Sequence, residues 1–395
     1  MPTTSGWLVT VAALGAVGVG RFFGIAELFV IGAGLATSVL WAVVSVTLRR
    51  PDLSVTRTIE PERVTAGEPA RSELVLRNAG RTRAAALLVT EAVGRTSSAR
   101  MRIGPLAAGD RVVAAYRIPT SRRGRVPIGP TVVVRHDALG LAATTATVTG
   151  VDDVVVAPPT VTVAMPAVGA GTLGRELAAT AGRLGPGEFH ALRAYVPGDE
   201  VRSVDWKASA RTDDLVVREH RTPDLRRCVV VLDRSDGPSG SGSTNSDQGD
   251  DAFELAIVIA ASLVRSAATA RLSTRFVTGG GIDLRGPDVA DRTLDVLATA
   301  ELGPRLDDTY RDPTDELGLL VLVTSGPGPS AWSGPAADPT LTTVRIFTGP
   351  HPGVDGSPAD RSVTVDAPTL AAFTDAWARL VSDAAPGPPG RSDQR

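Results

Sequence analysis

The chain has 395 residues, too many for one small domain and enough for two or three at roughly 100–200 residues each. Lys+Arg (41) and Asp+Glu (43) nearly balance, and a formal charge of −2 removes the electrostatic case for a nucleic-acid partner. The single cysteine, Cys228, excludes an internal disulfide framework and a multi-cysteine metal site; the only lysine, Lys207, follows a tryptophan, so there is no phosphate-loop Gly-Lys pair.

Residues 1–20 and 28–48 carry no charged side chain. A helix of about 20 apolar residues crosses the hydrocarbon layer, so residues 1–48 are predicted to form a transmembrane helical hairpin, with Phe22, Phe23 and Gly24 as its loop. Trp7 and Trp41 suit the interface. Ala12, Ala13, Gly15, Ala16, Gly18 and Gly20 give the first helix a small face for close packing. A cleaved signal peptide wants basic residues before its apolar core, and Met1 to Gly6 has none. Arg49, Arg50, Arg57 and Arg63 follow the second span, against Arg21 alone between the two. The expected location is therefore the cell membrane, multi-pass in the lipid bilayer, with the N-terminus and the large C-terminal part cytoplasmic.

Over residues 51–158 the hydrophobic period becomes two. Strands are predicted at Leu53–Ile59, Ser72–Arg77, Ala85–Glu91, Arg111–Ile118, Pro130–Arg135 and Ala143–Val148, a pattern that suits an Ig-like β-sandwich of undetermined strand order. Ser121 to Arg125 is read as a solvated hairpin turn rather than a basic ligand patch. Residues 159–222 are assigned to a linker followed by a dense polar segment. Within the linker, Gly169-Ala-Gly171-Thr-Leu-Gly174 satisfies G-x-G-x-x-G, but Pro158, Pro159 and Pro166 leave it no proper preceding strand, so a nucleotide site is not expected.

Gly187 to Arg221 is the densest polar run. A strand bounded by Phe189 and Ala194 leads to a Pro197-Gly198 turn, and Asp199 is expected to cap a short helix. Val201, Val204 and Ala208 would bury one face of it, with Trp206 and Ala210 as a second pair. Glu188, His190, Arg193, Asp199, Glu200, Arg202, Asp205, Lys207 and Arg211 mix both signs, as expected of an ion-pair network that shapes a loop or docking surface. A hydrolase would instead take Glu188 or Asp205 as base and His190 as its partner or as a metal ligand. Residues 223–383 alternate apolar strands (Arg227–Asp233, Leu272–Val277, Leu317–Thr324, Thr343–Phe347, Ser362–Val365) with helices (Phe253–Ala270, Val289–Glu301, Leu370–Ser382). This predicts a Rossmann-type parallel sheet covered on both faces. Ligands of such sheets bind beyond the strands' carboxyl ends, where Asp233 lies. Residues 237–249, 326–339 and the tail 384–395 are expected to be disordered.

These features together resemble the bacterial membrane proteins of domain of unknown function family 58. The resemblance is carried by Gly187-Glu188-Phe189, Arg193-x-Tyr195-x-Pro197-Gly198-Asp199 and Arg202-x-x-Asp205-Trp206-x-x-Ser209-Ala210-Arg211. Upstream, Arg122-Arg123-Gly124 and Asp137-Ala-Leu-Gly-Leu141 are similar to the family's Arg-Gly turn and its Asp-Pro-Phe-Gly-Leu stretch, with Ala138-Leu139 in place of Pro-Phe. It implies a membrane-tethered protein paired with a MoxR-type AAA ATPase and other membrane proteins. Glu188, Arg193, Tyr195, Gly198, Asp199, Arg202, Asp205, Trp206, Ser209 and Arg211 would form its docking set. Asp233-Arg-Ser235 also resembles the start of the Asp-x-Ser-x-Ser metal motif of von Willebrand factor A domains, which implies a fold of that type. Gly237 takes the second serine position, and Thr324-Ser325-Gly326-Pro327 supplies no later aspartate. Asp233 and Ser235 are accordingly expected to be a degenerate site without Mg2+ or another cofactor. The expectation is a membrane-anchored, non-enzymatic scaffold, with a hydrolase or a cation-dependent binder as the alternatives.

Overall fold

A computed structural model describes residues 1–48, 52–61, 63–183, 189–211, 214–220, 224–234, 246–303, 317–326, 338, 340–350 and 362–382. The chain divides into two compact units, 1–157 and 158–395.

The first unit begins with helices α1 (Thr4–Phe23) and α2 (Ala26–Leu48), each long and apolar enough to cross a membrane. The Thr3 hydroxyl caps α1 by accepting the Gly6 N–H at 3.1 Å. Phe22 and Phe23, expected in the loop, continue α1, because nothing breaks it before Gly24. The close approach of the two helices lies at Gly20 and Gly32, where an added Cβ would stand 2.7 Å from the Phe29 nitrogen and 2.9 Å from the Ala13 oxygen. Gly15 and Gly18, expected at the seam, face open space instead.

Nine strands follow: β1 (Leu53–Glu60), β2 (Val64–Thr65), β3 (Ala70–Asn78), β4 (Leu87–Val93), β5 (Ser97–Ile103), β6 (Arg111–Ile118), β7 (Gly124–His136), β8 (Ala143–Thr147) and β9 (Asp152–Ala157). They form a three-stranded sheet, β1-β3-β6, and a six-stranded sheet, β2-β9-β7-β4-β5 with β8 on β7. Every predicted strand is present; β2, β5 and β9 are additional. Residues 121–125 are not a hairpin turn, since β6 and β7 belong to different sheets and the chain crosses between them. Leu74 and Leu76 of β3 share a buried cluster with Leu87, Val89 and Val133 of the other sheet, so the sheets pack face to face. Across that contact the Arg57 Nε donates to Glu91 Oε1 at 2.8 Å, and the Thr131 hydroxyl donates to the same oxygen at 2.7 Å. Both charged side chains are buried, and a buried charge requires a close partner.

The helices seat on the six-stranded sheet at the turn after β7. Asp137 shapes that turn, its carboxylate accepting the N–H groups of Leu139 (2.8 Å) and Ala142 (2.6 Å). Thr3 donates its backbone N–H to the Leu141 oxygen at 2.9 Å and its hydroxyl to the Gly140 oxygen at 2.7 Å. On the α2 side of the same open end of the hairpin, Arg135 donates to the Val46 oxygen, while Ala42, Val46 and Ala142 form a small apolar cluster.

The second unit contains α3 (Gly171–Arg183), β10 (Phe189–Ala194), α4 (Trp206–Ser209), β11 (Val216–His220), β12 (Arg227–Asp233), α5 (Ser246–Thr269), β13 (Ser273–Thr278) and β14 (Ile282–Arg285). It continues with α6 (Val289–Ala298), β15 (Gly318–Thr324), β16 (Leu341–Phe347), β17 (Val363–Asp366) and α7 (Leu370–Val381). Six strands lie in the order β14-β13-β12-β15-β16-β17, all parallel except β14. Counted from β12 the spatial order is 3-2-1-4-5-6, with its reversal between β12 and β15. Cys228, Val230 and Leu232 pack under α5, α6 and α7. The opposite face gathers Val229, Val231, Val277, Leu320, Leu322 and Leu341, strand residues only. The described helices thus pack on one face rather than the two expected. Helix α5 has the length and composition of a membrane span, but Ile257, Ile259, Leu263 and Val264 are fully buried in this core.

Residues 159–183 are not a free linker. Val161 and Val163 donate their N–H groups to Ser262 (3.0 Å) and Ser266 (3.1 Å) of α5, and the Trp377 indole of α7 donates to the Ala164 oxygen at 2.8 Å. The chain's prolines, which leave an extended strip without sheet partners, are accommodated by these side-chain bonds. The Gly169–Gly174 motif opens α3, where a Cβ on Gly171 would lie 2.6 Å from the Leu380 oxygen of α7. Carbonyls fill the place a phosphate would need.

Candidate functional site

Strands β10 and β11 pair antiparallel, with Arg193 opposite Val217 and Ala194 opposite Val216. The connection between them holds most of the predicted docking residues. The Arg193 guanidinium grips Asp199 with two bonds of 2.8 and 2.7 Å, and Asp199 also accepts the Val196 N–H at 2.9 Å. Asp199 therefore closes the Pro197-Gly198 turn, with Gly198 at φ 113°, and does not cap a helix as expected. The Arg193 bonds and the Val196 N–H lower its carboxyl pKa to about 2.

The cap belongs to Asp205. Its Oδ1 accepts the N–H groups of Lys207 and Ala208, each at 3.0 Å, and its Oδ2 accepts from Arg218 Nε at 2.8 Å. Arg218 and the two N–H groups lower its pKa as well. The expected single helix is two short pieces, a 3-10 turn at Val201–Ser203 and α4, separated by Val204, which bridges to Val217. Val204 is buried, but Val201 is 65% exposed, so the predicted buried face is broken. Ser209 accepts the Val216 N–H at 2.8 Å, and Tyr195 donates its N–H to the Leu215 oxygen at 2.9 Å. Trp206 stands 63% exposed, and Arg211 is also exposed. Glu188, and the side chains of His190 and Arg202, lie outside the described residues. The surface of the segment carries Leu192, Val196, Val201, Trp206 and Leu215, an apolar set that sequence periodicity had assigned partly to the interior.

Residues 191–278 match the family model described as "Protein of unknown function DUF58". This stretch is similar to the DUF58 family. The match takes in the hairpin connection as well as β12, α5 and β13 of the sheet. No curated protein matches the chain. Among solved structures, the CARDB domain of the PF1109 protein from Pyrococcus furiosus is 18% identical with a TM-score of 0.22, covering 27% of this chain and 93% of that one. A β-glucosidase from Listeria innocua is 14% identical with a TM-score of 0.17, covering 25% of this chain and 16% of its own. The Pseudomonas fluorescens alkylpurine DNA glycosylase AlkC is 17% identical with a TM-score of 0.17, covering 30% and 37%. Likenesses this remote carry no argument about the DUF58 segment or the rest of the chain.

Beyond the DUF58 hairpin, Asp233 ends β12 directly opposite Thr324 of β15, at the reversal of the sheet order. Both are buried, and the Thr324 hydroxyl lies 3.4 Å from Asp233 Oδ2. Ser235 lies outside the described residues. Among the described residues no group of three His, Cys, Asp or Glu side chains could hold a metal ion. Cys228 is wholly buried, and burial pushes its thiol up to about 12, so it is no nucleophile at neutral pH.

Proposed function

We propose that this protein is a membrane-anchored, non-enzymatic scaffold whose DUF58 hairpin docks a protein partner. The observation that carries the reading is the exposed set Leu192, Val196, Val201, Trp206 and Leu215 on a segment where Asp199 and Asp205 are spent on a turn and a cap. Exposed aromatic and aliphatic side chains beside arginines are the composition of interaction surfaces. A hydrolase would need a basic carboxylate, and the three donors that hold Asp205 lower its pKa instead.

In this reading the helical hairpin sits in the cell membrane with the body on the cytoplasmic side. The two-sheet body is an immunoglobulin-type sandwich, and the second unit is a von Willebrand A-like domain in which the Asp233 site carries no cofactor. The strand order supports the last assignment. The partner is an AAA ATPase of the MoxR type together with other membrane proteins, and nucleic acid is not one. A photo-crosslinking residue in place of Lys207, beside Trp206, tests it in intact membranes. The expected result is an ATPase adduct that disappears when Trp206→Ala and Val201→Ser are added. Adducts unchanged by those substitutions, or turnover of a small substrate by the purified chain, would end the proposal.

A further inference from the structure

We infer that the anchor-proximal end of the three-stranded sheet binds a phosphodiester, the headgroup of a phospholipid, between Arg77 and Arg111. Arg77 of β3 and Arg111 of β6 are cross-strand partners, and Ser54 of β1 flanks Arg77 on its other side. Leu74 and Leu76 point inward with no exposure, so the alternation of β3 turns Arg77 to the outer face. Side chains directly opposite one another start about 4.5–5.5 Å apart, and like charges placed so repel. Among the described residues neither guanidinium has an ion-pair or hydrogen-bond partner. The two arginines line a shallow concavity of about 630 Å3 together with Ser54, Thr56, Gly109 and Asp110.

Two planar forks that can only donate, and two hydroxyls that can turn their protons outward, suit a tetrahedral group of oxygens, the geometry that recognises phosphate. Asp110 is the exception. Its carboxylate opposes a bare dianion but can accept from a hydroxyl or ammonium donor elsewhere on a headgroup. Position favours the lipid as the source. Ser54 follows the end of α2 at Leu48 by six residues, which places it within about 20 Å of that helix end. Arg135, bonded to the Val46 oxygen, marks the same end of the other sheet. Exposed Arg81 and Arg83 follow β3 there and add to the local positive field.

The lipid source rests on the membrane-anchor reading; the anion site does not. The full chain in neutral detergent is titrated with phosphatidylglycerol, phosphatidylcholine or inorganic phosphate, with bound lipid counted by native mass spectrometry and stability followed by circular dichroism. Phosphatidylglycerol should be retained in preference to phosphatidylcholine, and Arg77→Gln with Arg111→Gln should cut that retention about tenfold. Arg95→Gln, exposed beyond the far end of β4, should retain it. Without lipid the double variant should melt no lower than the parent chain, because a repulsion has been removed. Equal retention by parent and double variant, or equal retention of the two lipids, would overturn the site. Inorganic phosphate stabilising the parent as strongly as the lipid would overturn the lipid assignment alone. Extraction of the chain from membranes by carbonate tests the anchor separately.

Discussion

Two of the arginine–carboxylate pairs, Arg57–Glu91 and Arg193–Asp199, have similar chemistry and opposite consequence. Arg57–Glu91 joins positions 34 apart across two sheets, with side chains 3% and 0% exposed. Arg193–Asp199 joins positions six apart within one turn of the DUF58 segment, with side chains 40% and 19% exposed. The first holds two layers in one register: Glu91 would be stranded in the interior without Arg57, whereas Arg57 also reaches the exposed Asp152. The second shapes a loop that water can reach, where the attraction is screened and the side chains are entropically costly to hold. Burial, not the pairing itself, decides which of the two is structural.

The sharpest way to break the contrast is Arg57→Met, which leaves the Glu91 carboxylate buried without its charged partner. A loss of about 3–5 kcal/mol is expected in the first unit, measured by hydrogen exchange of the β1 and β4 amides. The pair of changes Arg57→Met and Glu91→Leu should restore most of it; no recovery would mean that the ion pair is worth more than its desolvation. Next in size is Gly6→Val, since a Cβ there would lie 2.0 Å from the Leu141 oxygen. Such overpacking costs about 1–3 kcal/mol and should raise exchange at Leu141 to Ala143.

On the exposed side, Asp205→Ala should free the Lys207 and Ala208 amides to exchange without moving the global unfolding transition. A shifted transition would show the hairpin to be part of the folding core. The smallest effect is the pH response of Asp199. Its pKa is depressed to about 2 from an unfolded value near 3.9. Its contribution is thus complete above pH of about 4 and is lost as pH falls through about 2. The Val196 amide chemical shift should titrate with the low midpoint, and a midpoint near the ordinary value would mean that the Arg193 grip is open in solution.

Much of this architecture was legible in the sequence, and what was not has identifiable causes. Alternation in Leu53–Ile59 and the apolar run Arg227–Asp233 announced β1 and β12 because burial imposes period on composition. Strand β5, reading Ser-Ser-Ala-Arg-Met-Arg-Ile, lies at a sheet edge and carries little of that signal. Strand β14 is four residues long, also at an edge. The DUF58 segment was found by its motif, yet Val201 and Trp206 misled the helix pattern because apolar side chains there face outward. Arg57 could be seen, but its partners could not: Glu91 and Thr131 reach it only through the packing of two sheets. The juxtaposition of Arg77 and Arg111 is likewise a product of strand register, which no local rule reveals.

The seat at Asp137 to Leu141 has a mechanical consequence. Thr3, before the first helix, and Val46, near the end of the second, are both bonded to the same corner of the six-stranded sheet. The helices are therefore a pedestal and not a leash: tilting them must tilt the strands. Force or curvature felt by the hairpin would be handed on to the first unit as rotation rather than absorbed as slack.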